Sequence, residues 1–248
     1  MNPILLVTGG SRGIGAATAR LAAARGWDVA INYTRDAGAA QAVADDVRAR
    51  GRRALTVQAD VADEAAVLAM FTAVDRGLGP LGGLVNNAGI VDVAARIDEG
   101  TVARWQRMMA VNVIGSMVCA REALRRMSTR HGGRGGAIVN LSSAAARIGA
   151  GGQYVDYATA KGAIDVFTLG LAREVATEGV RVNAVRPGII ETDIHASGGE
   201  PDRAARMAPL VPMQRSGTAQ EVAAAIVWLL SDEASYTTGS VVDVTGGR

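Results

Sequence analysis

Short apolar runs alternate with longer segments of helical spacing along the whole chain. The runs read as buried strands, because no regular polar alternation marks a solvent-facing side. The intervening segments, such as 15–26 and 221–230, have the spacing of helices that cover a sheet. Strands are predicted at 4–8, 28–33, 54–58, 83–87, 136–142, 181–185 and 240–245.

Buried strands separated by helices favour parallel pairing through right-handed crossovers. We find no linker, low-complexity tract or internal repeat in the 248 residues. The pattern therefore predicts an α/β fold: a single doubly wound domain over 1–248, with a seven-stranded parallel sheet flanked by helices. Ligands are expected at the carboxyl ends of the strands.

Composition narrows the possible functions. One cysteine, Cys119, excludes an intrachain disulfide and a cysteine-clustered zinc site, and no metal site is predicted. The first apolar run is only four residues long, far below the roughly 18 that a membrane span needs, and no basic region precedes it. We expect a soluble cytoplasmic protein. Net charge is +2 with scattered arginines, so no nucleic-acid partner is expected.

The stretch "TGGSRGIG", from Thr8 to Gly15, follows the first strand and opens a helix. Glycines there allow a tight turn and a close approach to a pyrophosphate, whose charge lies against the helix N-terminus. An ordinary glycine-rich turn has the same composition, but the position at the first βα turn favours a dinucleotide site. No Gly-Lys-Ser/Thr follows, so it is not a Walker A loop. The expected cofactor contacts in this loop are Gly9, Ser11, Arg12, Gly13, Ile14 and Gly15.

The end of the second strand bears on which dinucleotide binds. NAD-selective sites usually place a carboxylate there, bonded to the ribose 2′-hydroxyl. Here the sequence has Tyr33, Thr34 and Arg35, and Arg12 stands in the glycine loop. Two guanidiniums can bind a 2′-phosphate, which favours NADP(H) over NAD(H). Both arginines could instead be solvated, and Asp36 could still face the ribose.

Lys161 is the only lysine among the 26 lysine and arginine residues of the chain. It follows Tyr157 by four residues, so both side chains lie on one face of a helix. A tyrosine hydroxyl titrates near about pH 10, and a neighbouring cation lowers that pKa. The compact ammonium can also reach ribose hydroxyls, unlike a bulkier guanidinium. The spacing predicts that Tyr157 and Lys161 form a proton-transferring pair. Tyr154 has no such partner, because the residue four positions later is Ala158.

Six ordered motifs resemble those of the short-chain dehydrogenase/reductase family. They are "TGGSRGIG", "NNAG" (86–89), Asn112, "NLSS" (140–143), Tyr157-x-x-x-Lys161 and "RPG" (186–188), and the likeness extends to the terminal "VTGG". The chain is similar to the subgroup of 3-oxoacyl-[acyl-carrier-protein] reductases and glucose dehydrogenases. This resemblance implies a Rossmann-type domain that transfers a hydride between NADP(H) and a carbonyl or secondary alcohol. An NAD-dependent sugar or alcohol dehydrogenase and a non-catalytic NADP(H)-binding sensor are the alternatives.

The resemblance also implies residue roles. Tyr157 would be the general acid/base, Ser143 would hold the substrate oxygen, and Lys161 would hold the nicotinamide ribose and lower the pKa of Tyr157. Asn112 would support a proton-relaying water. Ser142 could take the place of Ser143, and Asn112 could be a satisfied helix-interior amide.

Further cofactor contacts carry over by position. Asp60 and Val61 would bracket the adenine, although Asp60 could simply cap the next helix. A plain turn would explain Pro187 and Gly188 equally well. The contacts expected towards the riboses and the nicotinamide are Asn86, Ala88, Gly89, Pro187, Gly188, Ile189 and Thr192.

The substrate side is less defined by the sequence. Residues 190–215 lie where the family keeps a mobile lid over a small-molecule substrate. His195 could touch substrate or be solvated, and Arg147 and Arg206 could serve an acyl-carrier protein, although no basic groove is evident. Family members are commonly tetramers, and the apolar stretch 166–172 is compatible with a homotetramer.

Overall fold

The computed structural model describes residues 2–192 and 198–248. Within these ranges seven strands form one sheet in the order β3-β2-β1-β4-β5-β6-β7, and each neighbouring pair is parallel. Strand order reverses between β1 and β4, which places a crevice at their carboxyl ends. The strands are β1 Ile4–Val7, β2 Asp28–Tyr33, β3 Ala54–Gln58, β4 Gly83–Asn86, β5 Gly136–Leu141, β6 Val180–Pro187 and β7 Val241–Val244.

Helices cover both faces of the sheet. A π-helical segment, Ala110–Ile114, joins the fourth helix to the fifth and places Asn112 at its centre. The α-helices within the described ranges are α1 Gly13–Ala24, α2 Ala37–Ala49, α3 Glu64–Gly77, α4 Val102–Met109, α5 Gly115–Met127, α6 Ala145–Ile148, α7 Val155–Val175, α8 Arg203–Met207 and α9 Ala219–Leu230. None of these helices is both long and apolar enough to cross a membrane.

Two apolar layers hold the fold together, one on each face of the sheet. Val7 and Val85 pack with Ile226 of α9 on one face, whereas Leu6 packs with Phe71 of α3 and Met127 of α5 on the other. Alternate residues of one strand thus serve opposite layers. Each such side chain contributes about 1.5–3 kcal/mol of burial free energy, and the continuous apolar strands are explained by this two-sided cover.

The predicted doubly wound parallel sheet is confirmed. All seven predicted strands are present, and the main difference is β6, which extends to Pro187 because Arg186 and Pro187 pair with Asp243 and Val244 of β7. Helix α1 begins at Gly13, two residues before the predicted start. The amide of Ala16 already bonds the carbonyl of Arg12 there, at 3.1 Å.

Candidate active site

A cleft of about 490 Å³ opens at the carboxyl ends of the strands. Its walls come from the segments that follow β1, β2, β3, β4, β5 and β6. Gly15, Asn86 and Asn112 are not part of its lining. It brings together these predicted residues: Gly9, Ser11, Arg12, Gly13, Ile14, Tyr33, Thr34, Arg35, Asp60, Val61, Ala88, Gly89, Ser143, Tyr157, Lys161, Pro187, Gly188, Ile189 and Thr192.

The glycine loop is fastened by two asparagines. Gly9 has a φ of +59°, a region that favours glycine, and its amide donates to Oδ1 of Asn32 at 3.1 Å. Nδ2 of Asn87 donates to the carbonyls of Thr8 and Gly9, at 2.8 and 2.9 Å. Gly15 lies behind the loop: a Cβ there would stand 2.5 Å from the carbonyl oxygen of Gly9. Gly15 therefore allows the helix N-terminus to pack directly on the loop.

The end of β2 carries no carboxylate from residue 32 to residue 35. Asn32 is buried and serves the glycine loop, while Tyr33, Thr34 and Arg35 line the cleft. Asp36 also reaches the cleft, but its Oδ1 accepts the amide of Ala39 at 2.9 Å and caps α2. Asp36, the carboxylate that could face a ribose, therefore uses one of its oxygens to cap α2.

Asp60 lies in the cleft wall beside Arg107, a residue that sequence reasoning missed. Nη2 of Arg107 donates to Oδ2 of Asp60 at 3.1 Å. Burial raises the pKa of Asp60, but hydrogen bonds from Ala62 and Arg107 outweigh it and hold the pKa below its usual value. Asp63, not Asp60, caps α3, by accepting the amides of Ala65 and Ala66. Asp60 therefore lines the cleft without capping the helix, and its two oxygens accept from the Ala62 amide and from Arg107.

Tyr157, Lys161 and Ser143 meet at the inner end of the cleft. The Lys161 ammonium lies 5.6 Å from the centroid of the Tyr157 ring and donates to the carbonyl of Leu141 at 2.6 Å. A side-chain hydrogen bond links Ser143 to Tyr157. The hydroxyl of Ser142 instead donates to the carbonyl of Lys161, at 3.2 Å. Of the two serines, Ser143 is the one whose hydroxyl faces the phenol.

Burial dominates the ionisation of this pair. It raises the pKa of Tyr157, and the hydrogen bond with Ser143 only partly opposes this. The sequence-based expectation that the pKa of Tyr157 is lowered is therefore wrong for the protein without cofactor. Removal of the phenolate from water raises the pKa more than the neighbouring groups lower it. Burial likewise lowers the pKa of Lys161 to about 8, against the opposing charge of Asp165. At neutral pH the pair is a phenol beside an ammonium.

Asn112 is a paired amide behind the cleft wall. Its Oδ1 accepts the amide of Ile90 at 2.8 Å, and its Nδ2 donates to the carbonyl of Ile90 at 2.9 Å. These two bonds fix the segment after β4. A Cβ on Gly89 would lie 2.9 Å from Oδ1 of Asn112 and 3.5 Å from Nζ of Lys161. The side chain thus fits the satisfied-amide alternative, and the water relay stays a prediction.

Asn86 and Asn87 face in different directions. Nδ2 of Asn86 donates to the carbonyl of Ser116 at 3.1 Å and to Oδ1 of Asn140 at 2.9 Å, inside the protein. Asn87 lines the cleft and was missed by sequence reasoning. Successive strand residues alternate between faces, so the doubled asparagine was a usable signal. The side-chain amide of Asn86 thus bonds groups in the interior, and that of Asn87 bonds the glycine loop.

Gly188 is more than part of a plain turn. Its amide donates to the carbonyl of Val244 at 2.9 Å, and a Cβ would stand 2.8 Å from the Cα of Thr245. This contact lets the chain leave β6 against β7. Thr192 then approaches the glycine loop, within 3.3 Å of where a Cβ on Gly13 would lie.

The outer part of the cleft includes Tyr154, which sequence reasoning set aside as a partner for lysine. Its hydroxyl donates to Oε1 of Glu200 at 3.0 Å, and Arg203 lies 5.0 Å from its ring centroid. Tyr154 is thus a wall residue. Arg206 pairs with Glu200, and Arg147 pairs with Asp243, so neither is a free cation. His195 lies outside the described residues, as does part of the segment 190–215.

The described residues of the cleft form no cluster that resembles a metal centre. Across residues 2–192 and 198–248, no group of three or more histidine, cysteine or acidic side chains is arranged to hold an ion. Cys119 is buried, and burial raises the pKa of its thiol to about 12.

The chain resembles known oxidoreductases over nearly its whole length. A family model described as enoyl-(acyl carrier protein) reductase matches residues 9–248. The chain is 55% identical over 245 residues to the uncharacterized oxidoreductase YgfF of Escherichia coli K12, covering 99% of both chains. It is 39% identical over 244 residues to 3beta-hydroxysteroid dehydrogenase 1 of Eggerthella lenta, covering 98% of this chain and 92% of that one. A short chain dehydrogenase from Burkholderia cenocepacia, solved in complex with NADP, has a TM-score of 0.90 at 36% identity, covering 99% of this chain and 97% of the other.

Proposed function

Because the chain belongs to the short-chain dehydrogenase/reductase family of oxidoreductases, we propose that it is an NADP(H)-dependent carbonyl reductase acting on a small molecule. The observation that carries the proposal is the half-buried Tyr157 phenol beside the buried Lys161 ammonium, with Ser143 bonded to the phenol at the inner end of the cleft. A protein that only bound the nucleotide would not need this pair.

The residues of the pair have distinct tasks in the proposed reaction. The reduced nicotinamide supplies the hydride when it is bound. Ser143 donates a hydrogen bond to the substrate oxygen and orients the carbonyl. Tyr157 gives its proton to the same oxygen as general acid, and its raised pKa keeps it protonated at neutral pH. Lys161 holds ribose hydroxyls and stabilises the phenolate that proton transfer leaves behind.

The adenosine end of the cleft supports NADP(H) over NAD(H). Arg12 and Arg35 both line it, and two guanidiniums suit a 2′-phosphate. Asp36 is the nearest carboxylate along the chain, and it caps α2. The Burkholderia cenocepacia relative, solved with NADP, is consistent with this choice. The remaining predicted cofactor contacts in the lining are proposed to hold the same dinucleotide.

Arg35→Ala tests the cofactor proposal. We expect kcat/KM with NADPH to fall roughly 10- to 100-fold, because a charge-assisted hydrogen bond contributes about 1.5–3 kcal/mol. With NADH the value should change less than about threefold, because NADH has no 2′-phosphate for Arg35 to bind. Steady-state kinetics with both cofactors, beside Arg25→Ala as a surface control, give the ratio. An NADPH/NADH ratio equal to that of the unaltered protein would contradict the 2′-phosphate site.

The pH dependence of reduction follows from Lys161. Lys161 is cationic below its pKa of about 8 and neutral above it, whereas the raised pKa of Tyr157 keeps the phenol protonated through this range. We expect kcat/KM to be level up to about pH 8 and then to fall roughly tenfold per pH unit. Lys161→Arg keeps a charge at high pH, so its lower activity should show no such fall. A level profile for the unaltered protein up to about pH 10 would count against the role of Lys161.

We also propose a single domain over 1–248, a substrate lid at 190–215 and self-association into a homotetramer. Part of the lid region, α8, already lies against the cleft through Arg203.

Exposed apolar side chains on two helices support self-association: Ile114 and Met117 near the start of α5, and Val166 and Leu169 on α7. Size-exclusion chromatography with light scattering measures the number of subunits.

A further inference from the structure

Lys161 carries a charge in an interior that offers it few oxygen partners. Lys161 is 5% exposed, and its ammonium donates to the neutral carbonyl of Leu141. The groups that surround the ammonium from β5, from Gly89 after β4 and from Asn112 in the π-helical segment are uncharged. Burial of a cation without a nearby negative charge costs free energy, so we ask which group provides that negative charge.

Asp165 supplies a carboxylate one turn further along α7. Residues four apart share a helix face, with Cβ atoms about 5–6 Å apart. Oδ2 of Asp165 accepts from Nε and Nη2 of Arg186, at 3.0 and 2.9 Å. Oδ1 of Asp165 is buried and has no hydrogen-bond partner within the described residues. One oxygen of the Asp165 carboxylate is therefore bound by Arg186. The other oxygen is buried on the residue one helical turn from Lys161.

The other charges that face this part of α7 are already paired. Arg186 of β6 also contacts Asp243 of β7, at 3.3 Å, and Asp243 accepts from Arg147 of α6 at 2.7 Å. Arg104 of α4 is paired with Asp156 at 2.6 Å. Tyr157 is the titratable neighbour of Lys161 on its own helix.

Charges therefore alternate from the cleft to the surface: Lys161, Asp165, Arg186, Asp243 and Arg147. Asp165 is the acidic residue of this series that lies on α7 with Lys161, one turn further on. Its attraction is also the interaction that opposes the burial-induced fall in the pKa of Lys161.

We propose that Asp165 is a positioning residue that keeps Lys161 charged and in place at the inner end of the cleft, and that Arg186 sets how much of the carboxylate's charge reaches it. The catalytic consequence rests on the proposed function, because it acts through Lys161. The electrostatic coupling itself does not require turnover.

The single lysine makes the coupling directly measurable. Labelling lysine with carbon-13 at Cε gives one side-chain signal, from Lys161, in the full-length protein. We expect Asp165→Asn to lower the titration midpoint of that signal by about one pH unit, a tenfold change in the acid constant. The alkaline fall in kcat/KM should move down by the same amount. Asp165→Glu retains the carboxylate and should stay near the unaltered midpoint.

Two further variants separate charge from packing. Arg186→Gln removes the cation that competes for Asp165, so the Lys161 midpoint should rise by roughly half a unit. Asp243→Asn removes a carboxylate from the same series at a greater remove, and the midpoint should shift by less than about 0.3 unit. A purely structural role would lower the thermal midpoint or the activity in Asp165→Asn while leaving the Lys161 titration unmoved.

An Asp165→Asn midpoint within about 0.3 unit of the unaltered protein would overturn the proposal. If Asp165→Asn does not fold, Arg186→Gln decides: a raised midpoint supports the coupling, and an unchanged or lowered one overturns it. Because the titration is read without substrate, either result leaves the reductase proposal standing. Failure of the reductase proposal would appear instead as undiminished turnover after loss of the Tyr157 hydroxyl.

Discussion

Tyr157→Phe should remove most of the turnover and leave cofactor binding nearly intact. The Tyr157 phenol is hydrogen-bonded to Ser143 and its ring centroid lies 5.6 Å from the Lys161 ammonium, and no other described hydroxyl has both neighbours. General acid catalysis contributes about 10²- to 10⁴-fold, so kcat for ketone reduction should fall roughly 1000-fold. The aromatic ring remains, so the Kd for NADPH should change less than about threefold. Single-turnover absorbance of the nicotinamide and fluorescence titration give the two values.

Tyr154→Phe is the matched control for this variant. It removes a hydroxyl from the same cleft, three residues away, but that hydroxyl bonds Glu200 in the outer wall. We expect kcat to fall less than about tenfold. Equal losses in the two variants would contradict the assignment of Tyr157 as proton donor, as would normal turnover of Tyr157→Phe.

Gly15→Ala should damage cofactor binding more than its small size suggests. The new methyl group would lie 2.5 Å from the Gly9 carbonyl oxygen and 2.6 Å from Nδ2 of Asn87. Neither group can retreat easily, because Asn87 bonds Gly9 and Thr8 and the Gly9 amide bonds Asn32. Forcing the loop away from the helix N-terminus costs about 3 kcal/mol, so the Kd for NADPH should rise roughly 100-fold.

Gly38→Ala controls for the effect of replacing a glycine in a helix. Gly38 lies in α2, and an added Cβ would meet only an ordinary contact, 3.6 Å from Asp36. The Kd for NADPH, measured by fluorescence titration, should stay within about twofold of the unaltered value. A Gly15→Ala protein that binds NADPH normally would show that the loop can shift at little cost.

The fold could be predicted because its inner strands are buried on both faces. Burial of both faces makes such a strand a continuous apolar run in the sequence, and β2 matches its predicted range at both ends. The edge strand β3 is only partly buried, and it also matches its predicted range. The end of β6 was harder to place, since Arg186 and Pro187 lack strand character. Their pairing with β7 depends on a strand more than 50 residues later in the sequence.

The candidate site was predictable where the chemistry is local. The four-residue spacing of Tyr157 and Lys161 needs only a helix, and the glycine loop needs only a turn between β1 and α1. Arg107 had no such signal, because its partner Asp60 is 47 residues away. The direction of the Tyr157 pKa was also beyond local reasoning: adjacency to Lys161 is visible in the sequence, but the burial that outweighs it is not.

The 21 residues of α7 join the proton-transfer pair to the protein interior. Its first turns carry Tyr157 and Lys161, and later turns place Ile164, Ala172 and Val175 in the apolar layers. The reactive groups therefore share the rigidity of the core, and they can open only at nearly the cost of opening the whole domain. The outer wall of the cleft is formed instead by short segments around Tyr154 and α8. If the proposed function holds, substitutions there can change which substrate fits the cleft while Tyr157 and Lys161 stay in place.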